Sequence, residues 1–153
     1  MNFNSVEEIL DFAIANEREA VDFYTEISEQ ETFSGAKETF LAFAEEEKKH
    51  ERMLTEFKNN PDKLSRYSYK WVPDMKRSNY MVDMTYEKGM SYVDIMRLAM
   101  KKEEKALLLY NELASKTDKD EFINLFKVLS QEEAKHKRYF ETQYDDYMAE
   151  QGD

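Results

Sequence analysis

The sequence predicts an all-α protein, a four-helix bundle in which two duplicated helical hairpins are joined by a long crossover. The first observation is composition. Of 153 residues only three are glycine and two are proline, whereas good helix formers such as Glu, Lys, Leu and Met are abundant. The second observation is an internal repeat, because residues 5–57 match residues 91–143 at a constant offset of 86 positions without a gap.

The repeat pairs rare residues as well as common ones. The chain has two histidines, and His50 pairs with His136 across the repeat. Chance similarity between helices rich in Glu and Lys explains some of the other pairs, but it does not explain this one. The other pairs include Ser5 with Ser91, Ile9 with Ile95, Glu17 with Glu103, Tyr24 with Tyr110, Phe40 with Phe126 and Glu47 with Glu133.

Each half of the repeat is expected to form two helices. The predicted helices lie near residues 6–30, 36–58, 92–116 and 119–147. Ser5 and Ser91 are candidate N-caps for the first helix of each half. Short breaks at residues 33–35 and 117–118 then make each helix pair an antiparallel hairpin.

The length fits one domain, residues 1–153. We divide it into hairpin 5–57, crossover 58–90 and hairpin 91–147. A bundle helix of about 25 residues is about 38 Å long, and a connection of about 30 residues can span that distance. The crossover therefore lets the second hairpin run in the same sense as the first.

Every predicted helix carries a carboxylate on its apolar face. On the first helix Glu17 takes the place in the apolar stripe between Ala13 and Ala20, and Glu103 takes the same place on the third. On the second and fourth helices a Glu-x-x-His motif fills the vacant positions. The inward-facing polar residues are Glu17, Glu47, His50, Glu103, Glu133 and His136.

Buried carboxylates require protons or a counter-charge, and the apolar stripes contain no Lys or Arg. Two divalent cations would neutralise four carboxylates. The i, i+3 spacing places Glu and His of one helix on the same face, so both can reach the same ion. Carboxylate with imidazole suits iron, manganese or zinc, and open coordination positions favour a redox role. We therefore expect two metal ions, with iron, manganese and zinc as the candidates.

Composition also excludes several kinds of protein. The chain has no cysteine, which removes disulfides, thiolate zinc sites, iron–sulfur clusters and cysteine nucleophiles. A formal net charge of -11 disfavours nucleic acid and anionic membranes as partners. No window is long and apolar enough for a membrane span, and the first residues lack the pattern of a signal peptide. We therefore expect a cytoplasmic protein.

The ligand pattern resembles the rubrerythrin-like branch of the ferritin-like superfamily, with one Glu on the first and third helices and Glu-x-x-His on the second and fourth. The resemblance covers both hairpins but not the crossover. It implies a ferritin-like fold in which Glu17 and Glu103 are terminal ligands, Glu47 and Glu133 bridge two irons, and each iron has one histidine.

The resemblance extends to residues around the ligands, with departures. Tyr24 and Tyr110 would donate hydrogen bonds to ligand carboxylates, although both can also be ordinary core tyrosines. Rubrerythrin itself carries a rubredoxin domain with cysteines, so here electrons would come from a separate protein. Ala106 stands where rubrerythrin has an extra Glu, which disfavours redox-linked ligand exchange. Lys48 stands where bacterioferritin has its haem-binding Met, so we expect no haem.

The function implied by this resemblance is a di-iron oxidoreductase, active in oxidative stress, that reduces hydrogen peroxide or, less readily, dioxygen. We expect a homodimer that takes electrons from a donor protein. Two alternatives stay open. One is ferroxidation with iron sequestration, which requires a hollow multimer, and the other is a metal-binding module without turnover.

Overall fold

The computed structural model describes residues 2–66 and 75–152, and every regular element in those ranges is helical. The prediction of an all-α chain is therefore confirmed. Residues 67–74 of the predicted crossover lie outside the described residues. The α-helices are α1 (Val6–Ser28), α2 (Lys37–Lys58), α3 (Pro61–Arg66), α4 (Tyr92–Ser115) and α5 (Asp120–Gly152), and short 3-10 helices cover Glu31–Ala36 and Arg77–Tyr80.

The chain divides into two compact units, and the first is Met1–Ser78. Within it, α1 and α2 form an antiparallel hairpin around the 3-10 turn at residues 31–36. Lys58, at the end of α2, forms an ion pair with Asp11 near the start of α1. Arg18 forms an ion pair with Glu51 further along the same pair of helices.

The second unit is Asn79–Asp153, and α4 and α5 form its hairpin. Arg97 Nη2 on α4 donates to the hydroxyl of Tyr144 on α5 over 3.4 Å. Ser130 Oγ donates to Asn111 Oδ1 over 2.6 Å. The assignment of residues 1–153 to a single domain stays a prediction.

Equivalent serines begin the first helix of each unit, as predicted. Ser5 Oγ accepts the N–H of Glu8 at 3.1 Å, and Ser91 Oγ accepts the N–H of Asp94 at 3.2 Å. Glu8 Oε2 in turn accepts the N–H of Asn4 at 3.0 Å. Each cap satisfies a backbone donor that the first helical turn cannot satisfy itself.

Two helix ends differ from the sequence prediction by two residues or more. α1 ends at Ser28 rather than at residue 30. The hydroxyl of Ser28 donates a hydrogen bond to the carbonyl of Thr25 at 2.6 Å. α5 continues to Gly152, five residues beyond the predicted end at 147. Residues 148–151 are Met, Ala, Glu and Gln, all good helix formers, and the next residue is glycine.

The crossover contains structure that the sequence did not predict. Its first part is the short helix α3, and midway along the crossover the N–H of Phe3 bonds the carbonyl of Met75 at 3.3 Å. The guanidinium of Arg77 lies 4.6 Å from the ring centre of Phe3 and 5.2 Å from that of Phe12. These contacts attach the middle of the crossover, which belongs to the first unit, to the start of the chain.

The apolar stripes predicted on the helices are buried. In the first unit the large buried side chains include Ile9, Leu10, Tyr24, Ile27, Phe40, Leu54 and Phe57. In the second they include Ile95, Leu98, Leu109, Tyr110, Phe122, Phe126, Leu129 and Phe140. The predicted ligand positions lie within these stripes and are therefore surrounded by hydrocarbon.

Candidate metal centre

In the first unit the two helices bury three polar side chains side by side. Glu17 lies near the middle of α1 and is 2% exposed, while Glu47 and His50 lie one turn apart on α2 and are 1% and 0% exposed. We call these three residues the first triad. The helical spacing accounts for the shared direction of Glu47 and His50, because residues three apart lie on one face.

The polar atoms of the first triad converge on one small region between α1 and α2. His50 Nδ1 lies 3.6 Å from Glu17 Oε2 and 3.7 Å from Glu47 Oε2. Both distances exceed the range of an N–H···O hydrogen bond. Separations of 3.6 and 3.7 Å fit ligand atoms placed about 2.1 Å from a common cation, and one donor atom from each of the three residues lies within 4.8 Å of the others.

The second unit contains an equivalent arrangement. Glu103 on α4 and Glu133 and His136 on α5, the second triad, are 2%, 1% and 0% exposed. His136 Nδ1 lies 3.6 Å from Glu103 Oε2. The donor atoms of this triad also lie within 4.8 Å of one another. All six sequence-predicted ligand residues are thus buried, and each set of three is brought together within its own unit.

Burial and mutual charge govern protonation in the first triad. Burial raises the pKa of the Glu17 carboxyl well above its usual range, and the neighbouring Glu47 carboxylate raises it further. Burial on its own lowers the pKa of His50, but the carboxylates of Glu17 and Glu47 outweigh it and raise this pKa to about 11. Without metal, protons therefore supply the counter-charge, and a cation that binds here must displace them.

The donor set fits a first-row transition metal. Each triad offers two carboxylates and one imidazole, a combination that suits iron, manganese or zinc. Thiolate ligands are absent because the chain has no cysteine. Within each triad, one divalent cation would balance the charge of the two carboxylates.

Tyr24 and Tyr110, predicted to support the ligands, are 0% and 1% exposed. The ring of Tyr24 meets Phe43 edge-on, with centres 5.7 Å apart. The ring of Tyr110 lies nearly parallel to that of Phe126, with centres 6.5 Å apart. Their predicted hydrogen bonds to ligand carboxylates stay a prediction.

One pair beside the first triad was not predicted from the sequence. Arg18 directly follows Glu17, Glu51 directly follows His50, and the two side chains form an ion pair between α1 and α2. The sequence contains a signal for it, because Asp11 and Arg18 are seven residues apart, as are Glu51 and Lys58. Opposite charges at heptad spacing on facing helices favour such pairs.

Paired helices that bury carboxylate and Glu-x-x-His ligands are typical of the di-metal carboxylate proteins. The Rubrerythrin family model matches residues 8–144, and the chain belongs to the rubrerythrin family.

Two solved structures are similar along almost the whole chain. A proposed ferritin-like diiron-carboxylate protein from Thermotoga maritima is 24% identical with a TM-score of 0.73, and the alignment covers 96% of this chain and 99% of that one. A hypothetical protein from Pyrococcus furiosus is 29% identical with a TM-score of 0.70, over 93% of this chain and 89% of that one. No curated protein matches the sequence. The predicted ferritin-like fold class is confirmed.

Among residues 2–66 and 75–152, no helix combines the length and the apolar composition needed to span a bilayer. The expectation of a cytoplasmic location stays a prediction.

Proposed function

We propose that the two triads together hold two iron ions and that this centre reduces hydrogen peroxide to water. The ligands would be Glu17, Glu47, His50, Glu103, Glu133 and His136. The observation that carries the proposal is the burial of two carboxylate–imidazole triads with identical sequence spacing. Membership of the rubrerythrin family supports iron as the metal.

The side chains of this chain have defined tasks in such a reaction. Iron would supply electrons and Lewis acidity when bound. The carboxylates of Glu17 and Glu47 balance the charge of the cation, and neutral His50 supplies a nitrogen ligand. The apolar residues around each triad exclude bulk water, which strengthens every electrostatic interaction within.

Electrons for repeated turnover would come from a separate donor protein. The chain has no cysteine and therefore has no iron–sulfur or rubredoxin-type centre of its own. A single oxidation should proceed with peroxide alone, whereas sustained consumption of peroxide should require the donor. Sustained turnover with NADH alone would contradict this part of the proposal.

The experiment loads the purified chain with ferrous iron without oxygen, measures bound iron, and then adds one equivalent of peroxide. We expect about two irons per chain and ferric absorption within seconds. The test variant is Glu103→Gln and its matched control is Glu104→Gln, since Glu103 is buried and Glu104 is exposed on the same helix. Loss of iron in E103Q but not in E104Q supports the site. Equal iron content in both variants contradicts it.

The same sample tests the iron-storage alternative. A hollow multimer of many chains on a sizing column, with iron far above two per chain, would favour ferroxidation and sequestration over peroxide reduction. A small oligomer with two irons per chain supports the proposal.

A further inference from the structure

Four tyrosines cluster at one end of the second hairpin and have no counterpart in the first. These tyrosines are Tyr92, Tyr139, Tyr144 and Tyr147. At the repeat offset, the matching residues of the first half are Val6, Met53, Lys58 and Pro61. The duplication accounts for the triads but not for this cluster, which is an addition specific to the second unit.

Two of these tyrosines form a stacked pair. The ring centres of Tyr92, the first residue of α4, and Tyr147 on α5 lie 4.9 Å apart, with the ring planes 29° from parallel. Both side chains are half-buried. Their rings therefore lie close enough for direct electronic contact and are partly open to solvent.

A third tyrosine lies along α5 between the proposed ligand His136 and Tyr147. Tyr139 follows the proposed ligand His136 by three residues on α5, an advance of about 4.5 Å along the helix axis. Burial raises the pKa of Tyr92, and Tyr139, Asp146, Glu150 and Tyr147 add to the shift. Tyr139 and the carboxylates of Asp146 and Glu150 therefore lie within electrostatic range of Tyr92.

We propose that Tyr92 and Tyr147 are a sacrificial electron source for the metal centre, used when no donor protein is bound, and that their oxidation joins them as a dityrosine. This inference rests on the proposed peroxide reaction. Tyr139 is a positioning residue on the route from the second triad to the pair. The pair protects the ligands, because the two tyrosines are oxidised in place of His136 or Glu133.

The reaction balances with peroxide as the oxidant. Each phenol loses one electron and its hydroxyl proton, and the two electrons and two protons reduce one H₂O₂ to two H₂O as its O–O bond breaks. A carbon–carbon bond then forms between the ring positions adjacent to the two phenol oxygens. The hydrogens on those carbons move to the oxygens, which restores both aromatic rings. The H₂O₂ consumed in this step is separate from the one that gives the first ferric signal.

The test adds excess peroxide to the iron-loaded chain without reductant and follows three signals. Ferric absorption reports the proposed function, dityrosine fluorescence reports coupling, and tryptic mass mapping locates the bond. Cleavage after Lys88, Arg97 and Arg138 separates Tyr92 into peptide 89–97 and Tyr147 into peptide 139–153. We expect one cross-linked species of these two peptides, lighter than their sum by two hydrogen atoms, with fragments that place the bond at residue 147.

Matched variants separate the pair from its surroundings. Tyr92→Phe and Tyr147→Phe should abolish the fluorescence and leave the first ferric signal unchanged. Tyr144→Phe removes a tyrosine of the same peptide that contacts Arg97 instead, and it should cross-link like the wild type. Tyr139→Phe should slow coupling while the Tyr92 and Tyr147 rings remain in place.

Several outcomes overturn the inference. Ferric absorption without dityrosine refutes the tyrosine pair and leaves the peroxide reaction intact, whereas no ferric absorption refutes the reaction itself. Covalent dimers of the chain in place of the internal link show that the rings couple between copies. Equal coupling in E103Q with added iron shows attack by diffusible oxidants, which would also oxidise Met81, 52% exposed.

Discussion

The two hairpins agree where their side chains face inward and differ along their outer seam. Both triads have the same residues at the same spacing, and both are buried. The outer seam is the set of α1–α2 and α4–α5 contacts at heptad spacing. In the first hairpin it contains the ion pairs Asp11–Lys58 and Arg18–Glu51.

The matching seam positions of the second hairpin have different chemistry. Arg97 and Tyr144 replace the first ion pair with a hydrogen bond. Glu104 and Lys137 stand at the positions that match Arg18 and Glu51, so the signs of the charges there are exchanged. Exposed ion pairs contribute little to stability, so many combinations serve equally well on the seam. Burying a carboxylate costs free energy unless it is paired with a counter-charge or binds a metal. This requirement explains why the two halves have the same triad.

The largest expected effect tests whether the two triads are equivalent in metal binding. His50→Ala and His136→Ala should each lower iron affinity by the same factor, above the roughly 10- to 100-fold typical of losing an outer-shell partner. Competition with a coloured chelator measures it. The controls are Lys49→Ala and Lys135→Ala, exposed residues that precede each histidine. Loss of affinity in only one histidine variant would mean that the halves bind metal differently.

A second prediction tests whether the inward-facing carboxylates are present to bind metal or to stabilise the fold. In metal-free protein, replacing both Glu17 and Glu103 with Leu removes the desolvation cost of two groups that are each 2% exposed. The gain should be roughly 1.5–3 kcal/mol per side chain, less any loss from imperfect packing. The melting temperature of the metal-free double variant should therefore exceed that of metal-free wild type.

The same pair of proteins supplies the control for that experiment. With iron added, the order should reverse or the gap should shrink, because only the wild type gains the binding free energy. Exposed Glu104→Leu should change stability by less than about 0.5 kcal/mol. If the metal-free double variant melts well below wild type, the glutamates are structural ion-pair partners, whose loss typically costs about 3–5 kcal/mol.

The difference between triad and seam also explains what the sequence could predict. Glu17 and His136 were identifiable because polar residues at apolar-stripe positions violate a strong periodic pattern, and the repeat supplied a second copy of the same violation. The stacking of Tyr92 on Tyr147 could not be predicted from the sequence, because no periodicity links residues so far apart in the chain. The end of α5 was missed for a similar reason, since helix-forming residues near a terminus give no local stop before Gly152.

A third prediction converts one seam contact of the second hairpin into its counterpart. Ser130, 5% exposed, donates to Asn111, and Thr25 and Ala44 occupy the matching positions of the first hairpin. Ser130→Ala alone should cost about 0.5–1.5 kcal/mol. Adding Asn111→Thr should recover most of that, because the threonine hydroxyl can bond its own helix as Thr25 bonds Val21. Denaturant unfolding measures both, with exposed Ser115→Ala as the control.

The smallest expected effect concerns the charge pair beside the first triad. Arg18 is 64% and Glu51 25% exposed at the side chain, so the pair should contribute only about 0.2–1 kcal/mol. Arg18→Glu or Glu51→Arg alone should therefore lower the free energy of unfolding slightly, because each places like charges together. The double variant, Arg18→Glu with Glu51→Arg, places the negative charge on α1 and the positive charge on α2, as Glu104 and Lys137 do on α4 and α5. It should restore wild-type stability.

The double-mutant cycle for this exchange is informative about the metal as well as the fold. The coupling between the two sites should shrink at high salt, because exposed charges are screened. Iron affinity should stay at the wild-type value in the double variant. The second triad already has this arrangement of charges next to it, because Glu104 follows Glu103 and Lys137 follows His136. A double variant as unstable as the sum of its singles would show that the seam chemistry is specific to each hairpin. A fall in iron affinity in that variant would show that Arg18 acts on the first triad through its charge, so that the seam and the inward positions would not be independent.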